Sequence, residues 1–473
     1  ASDVYKRQGL SSNAENISIS DLNASVTDYS VKYDLSALNA LDSLNGIQVI
    51  SRLHTLGLSR SDLMNPEANM TSLNTNIQSA LSGLPTQTVQ YTGTDVDDLN
   101  QFLQNNTGKI VQLTQDIQVY KNTNGSFGII MVPSDTILDG NGHRLVMKAG
   151  YTEAPDVGVV LYVYKDGVIP STNCGVKNLS TDIPYVNSIN VFSADNILIE
   201  NNTLNNATKS GIMISDEYGS TVNGIIRGNT INNVGDDAIA VYGNHSNLLI
   251  DSNRISGAKG FAGIAISCLQ NGQQIRVDNE TTGPHDIIVT GNVVSGCSGE
   301  ALYCIGSYKT YITYNTLRDS ILEGVCLDSG CIGNYFAHNE VVNNGIAGGL
   351  PGVSIDNGIY NIVDSNNVYN NSCSGIKLVR TGLGNIIVNN ICTDNAYNQM
   401  GAKSSGIDIE PLAVETENLG YIDGLGSNWN VVLNNTVTGS HDFGVFIADD
   451  DTANNGGSSC ENVIMYNKFS SAY

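Results

Sequence analysis

From about residue 110 onward, apolar and polar positions follow one recurring pattern. Each unit holds an apolar strand, then Asn-x-(Ile/Leu/Val), a short polar turn, and a Gly-(Ile/Val)-x-(Ile/Leu) segment. The Asn of the unit falls at Asn202, Asn229, Asn253, Asn292, Asn315, Asn339, Asn366, Asn389, Asn435 and Asn467. The base spacing is close to 23, and the intervals of 39 and 46 carry insertions around Gln270–Pro284 and Pro411–Asn428. The interval of 46 reads either as one long rung or as two, one of them lacking its Asn. Short strands at this period, with no helical spacing between them, predict a solenoid of β-coils. Leucine-rich repeats share the period, but they carry Leu at fixed sites where this chain mixes Ile and Val. The expected fold is an all-β, right-handed parallel β-helix of about a dozen rungs. Strands should stack about 4.8 Å apart, with the recurrent Asn side chains forming an amide ladder at one turn.

Residues 9–93 differ. Leu35–Leu44 and Met70–Leu81 space apolar residues three and four apart, which predicts a small, mostly helical N-terminal region and linker. A cap helix is expected over 94–105, where Val96, Leu99 and Leu103 would share one face, followed by a strand at Lys109–Leu113 and the β-helix to residue 473. Residues 1–8 match nothing downstream and read as a cloning or assembly scar, with no apolar stretch of a signal peptide after Lys6 and Arg7. The chain stops at Tyr473 just after a rung's Asn, the pattern expected of a truncated solenoid.

Composition narrows the function. The chain has 473 residues, a formal net charge of −24 and only 14% charged residues, and its 41% apolar content argues against disorder. The acidity argues against nucleic acid or anionic lipid as partner, and no apolar run is long enough to span a bilayer. Nine Cys are scattered without a CxxC pair, so zinc is not expected and buried packing is the reading for most of them. Acidity and polar β character point to an extracellular or cell-surface location.

The repeat, the helix before its first strand and the phrase Ile137-Leu-Asp-Gly-Asn-Gly-His143 resemble the pectin-lyase-like superfamily of right-handed β-helix proteins. That resemblance covers about residues 94–473 and implies a carbohydrate-active protein whose partner is an oligo- or polysaccharide. Gly235-Asp-Asp-Ala-Ile-Ala240 is similar to the Gly-Asp-Asp motif of polygalacturonase-type glycoside hydrolases, which implies Asp236 and Asp237 as secondary candidates for acid and base. The family's other motifs are replaced here by Thr208-Lys-Ser210 and Phe261-Ala-Gly263, and no Arg precedes Ile376-Lys377. Pro284-His-Asp286 echoes the Pro-His of alginate epimerases but lacks that family's neighbouring Tyr and Asp, and reads as a turn.

Alternation along the Gly-(Ile/Val)-x-(Ile/Leu) strand sorts the chemistry. With Gly as position zero, positions two and four point outward. Position four reads Ser215, Tyr242, Ser267, Asp328, Asp356, Val379, Glu410 and Ala448; position two reads Met213, Ala240, Ala265, Cys326, Ser354, Lys377, Asp408 and Phe446. One outer face thus gathers Asp328, Asp356, Lys377, Asp408 and Glu410, with Arg380 one step beyond the strand. Stacked carboxylates repel and split their pKa values, which suits a glycosidase needing one protonated and one ionised acid. Asp328 and Asp356 are expected as the essential pair, with Asp408 and Glu410 also catalytic candidates. Lys377 and Arg380 would bind substrate, with Tyr421 and Trp429 as sugar-stacking platforms. Loops around Asn344–Pro351 and Pro411–Asn428 would wall the groove. No cofactor is required for hydrolysis or transglycosylation. A Ca²⁺-dependent lyase or epimerase, with Lys or Arg as base, and a non-catalytic adhesin, tail-spike-like or surface-layer module remain alternatives.

Overall fold

The computed structural model describes residues 63, 65–121, 128–151, 153, 155–164, 167–270, 273–274, 283–380, 382–396, 405–410, 426–439, 441–448, 459 and 462–471. Three parallel sheets of 14, 13 and 12 strands run the length of the solenoid. One rung visits each in turn, as in Asp195–Glu200, Thr203–Asn205 and Ile212–Ser215. Each strand pairs in register with its counterpart one rung on: Ile197 with Gly224, Leu204 with Ile231, Ile212 with Ile239. The expected parallel β-helix is what forms, and its right-handed winding is the sense that parallel strand crossovers take.

The interior is a column of aliphatic side chains. Ile197, Ile199, Ile226, Ile250, Val289 and Ile312 are fully buried in one cluster that runs from rung to rung. Burial of such stacked β-branched residues contributes about 25 cal/mol per Å² removed from water. The turn after the first sheet holds the amide ladder. Asn202 Nδ2 donates to Asn229 Oδ1 at 2.9 Å, and the series continues through Asn253, Asn292, Asn315, Asn339, Asn366, Asn390, Asn435 and Asn467. Its eighth member is Asn390, where the sequence pattern pointed to Asn389. Asn389 takes the left-handed turn position (φ 58°) and donates outward to Asp364 at 2.9 Å. The long interval is one rung, because Asn390 bonds directly to Asn435 at 3.0 Å. Two further ladders occupy the other turns, through Asn361, Asn385, Asn430 and Asn462, and through Asn344, Asn371 and Asn395.

The helix Val96–Asn105 caps the open end, with Asp95 accepting from the Asp97 N–H and Val96, Leu99 and Leu103 buried. The first sheet begins before it, at Thr88–Tyr91, which pairs with Lys109–Leu113. A second helix, Pro66–Ala80, places Leu73 and Ile77 on the outer side of the first sheet, in one cluster with Leu198, Ile225 and Leu249. That cover accounts for the apolar outer side of the strands it packs on, Val222–Arg227, Ser246–Asp251 and His285–Thr290. The helical spacing at Leu35–Leu44 lies outside the described residues.

Substituting Asn390 with Ala leaves the Asn366 amide groups and the Val363 carbonyl without their partner, which should cost on the order of 3 kcal/mol. Asn389→Gly, which keeps the left-handed turn, should cost about 1 kcal/mol or less. Urea unfolding midpoints check the pair, and equal midpoints would place the ladder on the wrong residue.

Candidate functional site

On the outer side of the third sheet, Tyr303, Cys326, Ser354, Lys377 and Asp408 form one register column across consecutive rungs. Leu327 pairs with Ile355, so Asp328 and Asp356 follow as neighbours in the next outward column. Ala262, Ala265, Tyr303, Ile305 and Cys326 make an apolar floor beside them. Carboxylates set against such a floor lose water, and their acidic forms are favoured.

The two central acids have unlike surroundings. Asp328 Oδ2 accepts from the Tyr303 hydroxyl at 2.9 Å, and its Oδ1 accepts from the Ser329 N–H and hydroxyl at 2.6 Å each. Asp356 Oδ2 lies 3.0 Å from the Arg380 guanidinium, while its Oδ1 is buried without a partner. Desolvation, reinforced by Asp328, outweighs Arg380 and pushes Asp356 up to about 7. Arg380 takes a left-handed backbone position (φ 62°), where earlier rungs place Gly306 and Asn357. A long side chain in that region carries a conformational cost, here accompanied by the ion pair to Asp356.

Three more acids join them. Glu300 is 6% exposed with Oε2 unpartnered, and burial pushes it up to about 7; Glu323, beside Glu300 and Asp328, is pushed to about 7 for the same reason. Asp237 is fully buried, accepts from the Tyr242 hydroxyl and the Ala262 N–H, and is likewise raised to about 7 by desolvation. Asp236 is half-buried in the turn before it.

The far end of the strip carries a cation. Lys377 Nζ lies 2.8 Å from Glu410 and 3.8 Å from Asp408. Burial opposes its charge, but those two carboxylates outweigh burial and hold Lys377 above the ordinary lysine range. Asp408 is 1% exposed, takes a hydrogen bond from Ser374 at 3.3 Å, and is pushed above the usual carboxylate range by burial.

The structure thus brings together Asp328, Asp356, Arg380, Lys377, Asp408, Glu410 and Asp237. Trp429 is not on this face. It is buried on the outer side of the first sheet, in the cluster of Val431 and Leu433, because the strand it precedes enters that sheet. Tyr421 lies outside the described residues, as does most of the Pro411–Asn428 loop. The Asn344–Pro351 loop does flank the strip: Ile346 and Ala347 bond back to Ser320 and Ile321, just before Glu323. His285 and Asp286 pair with one another at 2.7 Å at the entry of a first-sheet strand, with Lys309 closing on Asp286 at 2.8 Å. Sequence reasoning missed Glu300, Tyr303 and Glu323. The rung of Glu300 and Tyr303 begins on Ala301 in place of Gly, and Glu323, just before the anchor Gly324, reads as turn. The available signal was an acid at that preceding position in three of four consecutive rungs, Asp237, Glu300 and Glu323. Among the described residues, no group of three or more His, Cys, Asp or Glu is arranged to ligate a metal ion.

A family model described as a right handed beta helix region matches residues 161–341. The A-module of the mannuronan C-5 epimerase AlgE6 of Azotobacter vinelandii aligns at 11% identity over 80% of this chain and 100% of that one, with a TM-score of 0.44. The periplasmic alginate epimerase AlgG aligns at 14% identity over 87% and 91%, with a TM-score of 0.43. PfbA, a surface adhesin of Streptococcus pneumoniae, aligns at 12% identity over 74% and 81%, with a TM-score of 0.44. No curated protein matches the chain. The family-model match agrees with the three-sheet register described above, a right-handed parallel β-helix.

The raised acids set a pH dependence of stability. Asp237, Glu300, Glu323 and Asp356 are protonated in the folded chain up to about 7 and ionise near 4 when unfolded. Between those values the unfolded chain binds fewer protons, so stability is greatest near the lower limit and falls as pH rises towards 7. Melting temperatures should decline from pH 4.5 to pH 7, and Glu300→Gln should shallow the decline. A flat or rising profile would mean that these acids are ionised when folded.

Proposed function

We propose that the carboxylate strip of this β-helix is the active site of a glycoside hydrolase or transglycosylase, acting on an oligo- or polysaccharide at the cell surface or outside the cell. The observation that carries this is the contrast between two neighbouring acids. Asp328 has three hydrogen-bond donors and Asp356 has a desolvated, unpartnered oxygen. Glycosidic cleavage needs one acid to protonate the leaving oxygen and one carboxylate to act at the anomeric carbon, directly or through water. Asp356 supplies the proton, with Arg380 orienting its carboxyl group. Asp328 is the nucleophile or base, and Tyr303 and Ser329 hold its orientation. Lys377 and Glu410 line the strip beyond them and bind substrate hydroxyls, and the buried Asp408 holds Lys377 in place. The excess of acids favours a neutral polymer over a uronate one, since a polyanion is repelled.

A lyase or epimerase requires a base that gives up its proton near neutral pH. Lys377 is poorly suited, because two carboxylates keep it charged.

Asp328→Asn and Asp356→Asn should each lower kcat by about 10²-fold or more, with far-UV circular dichroism unchanged. Wild-type activity should fall about tenfold per pH unit above about pH 7, as Asp356 loses the proton it donates. A panel of neutral and acidic glycans checks this by reducing-end release, with unsaturated-product absorbance and EDTA as parallel arms. Unsaturated product that disappears with EDTA supports the lyase. Binding without any product supports an adhesin.

A further inference from the structure

A second polar surface lies away from the acidic strip, at the turn from the first sheet to the second. Tyr314 and His338 occupy equivalent turn positions on adjacent rungs. Their rings stack at 5.0 Å between centroids and 13° between planes, and Tyr314 is 62% exposed. Tyr314 has φ 57°, a region that a large aromatic residue enters at a cost, so the ring is displayed there against the backbone's preference. Beneath His338, Glu67 of the N-terminal helix lies 3.9 Å from Nε2 and accepts from the Tyr335 hydroxyl at 3.3 Å, which anchors the stack.

One rung earlier the same turn position is Gly291, whose N–H bonds the Thr313 carbonyl next to Tyr314. With no side chain there, the second face of the Tyr314 ring is open. A β-carbon built on Gly291 would stand 3.3 Å from Ser252 Oγ and 3.4 Å from Asp251 Oδ1. The open slot is therefore bounded by an aromatic face on one side and by a hydroxyl–carboxylate pair on the other. Two residues further along each rung, Val293, Thr316 and Glu340 line a cavity of about 450 Å³ that also takes in Arg318 and Tyr369. The Tyr369 hydroxyl fixes Glu340 at 2.5 Å.

We infer that this turn and the adjoining groove bind a pyranose unit of a neutral polysaccharide, as a holding site separate from the acidic strip. A pyranose has one face of C–H groups, which stacks on an aromatic ring, and a rim of hydroxyls, which bond carboxylates, amides and guanidinium groups. Asp251, at the edge of the stacking slot, would repel a uronate carboxylate held there, while Glu340 and Arg318 in the groove bond hydroxyls.

The test is affinity electrophoresis of the full chain at pH 7.5 in gels containing arabinoxylan, glucomannan, mixed-linkage β-glucan or polygalacturonate. At least one neutral polymer should retard the wild type, and polygalacturonate should not. Tyr314→Asn keeps a residue suited to the left-handed turn while removing the ring, and should weaken retardation about tenfold. Asp251→Ala should weaken it too, and Asp328→Asn should leave it unchanged. Retardation by no neutral polymer, retardation insensitive to both Tyr314→Asn and Asp251→Ala, or retardation lost in Asp328→Asn would each overturn the proposal. Binding and hydrolysis are read separately, so the holding site stands even where the acidic strip proves inactive.

Discussion

The buried asparagine amide at each turn is the interaction on which the rest of this solenoid depends. A chain that turns from one sheet to the next leaves backbone N–H and C=O groups facing a dry interior, where an unpaired group costs about 1–3 kcal/mol. In this chain one Asn answers several of them at once. Asn315 Oδ1 accepts both the backbone and side-chain N–H of Asn292, while its own Nδ2 donates to the Val289 carbonyl and to Asn339. Because every amide is partnered by the rungs on either side, slipping one rung would orphan groups in two others. Register is thus fixed far more firmly than side-chain packing alone would fix it.

Fixed register has an electrostatic consequence. Residues at one strand position must stack about 4.8 Å apart, whatever their charge. On the third sheet this sets acids beside acids, and the structure meets the cost differently at the two ends. Around Asp408 and Glu410 a lysine lies among the carboxylates and offsets one of the two charges, while burial pushes Asp408 towards its acid form. Around Glu300, Glu323 and Asp356, Arg380 pairs with Asp356 at the margin and Lys377 acts on Glu323, but burial outweighs both and the acids hold protons. A buried protonated acid can donate its proton; a buried ion pair can only orient. The two ends of one strip are thereby suited to different work.

How much of this the sequence disclosed follows from the same physics. Asn and Gly are recognisable because only those residues satisfy a buried turn or permit a close approach; at the anchor Gly324, an added β-carbon would stand 2.4 Å from Val341. The fold, the outward columns and the Asp328–Asp356 neighbourhood were therefore legible. The Asn389–Asn390 ambiguity was not, since two adjacent Asn differ only in which one the turn buries. Glu300 and Tyr303 escaped because Ala301 stands at the anchor and hides the rung. Trp429 was misplaced for another reason: its strand enters the first sheet, and the apolar outer side of that sheet has no signature in the repeat itself.

That outer side completes the division of labour among the three faces. The inside of every rung is committed to the same aliphatic column and the same amides, so differences in function can be written only outside. The first sheet gives its exterior to Leu73, Ile77 and the helix that carries them. The third concentrates acids over an apolar floor. The second keeps a mixed polar groove next to a turn where an aromatic stack displaces the usual Asn, Ser or Gly. A polymer lying along the solenoid would meet identical spacing on every face, about one rung per 4.8 Å, and only the side chains would tell it which face is which.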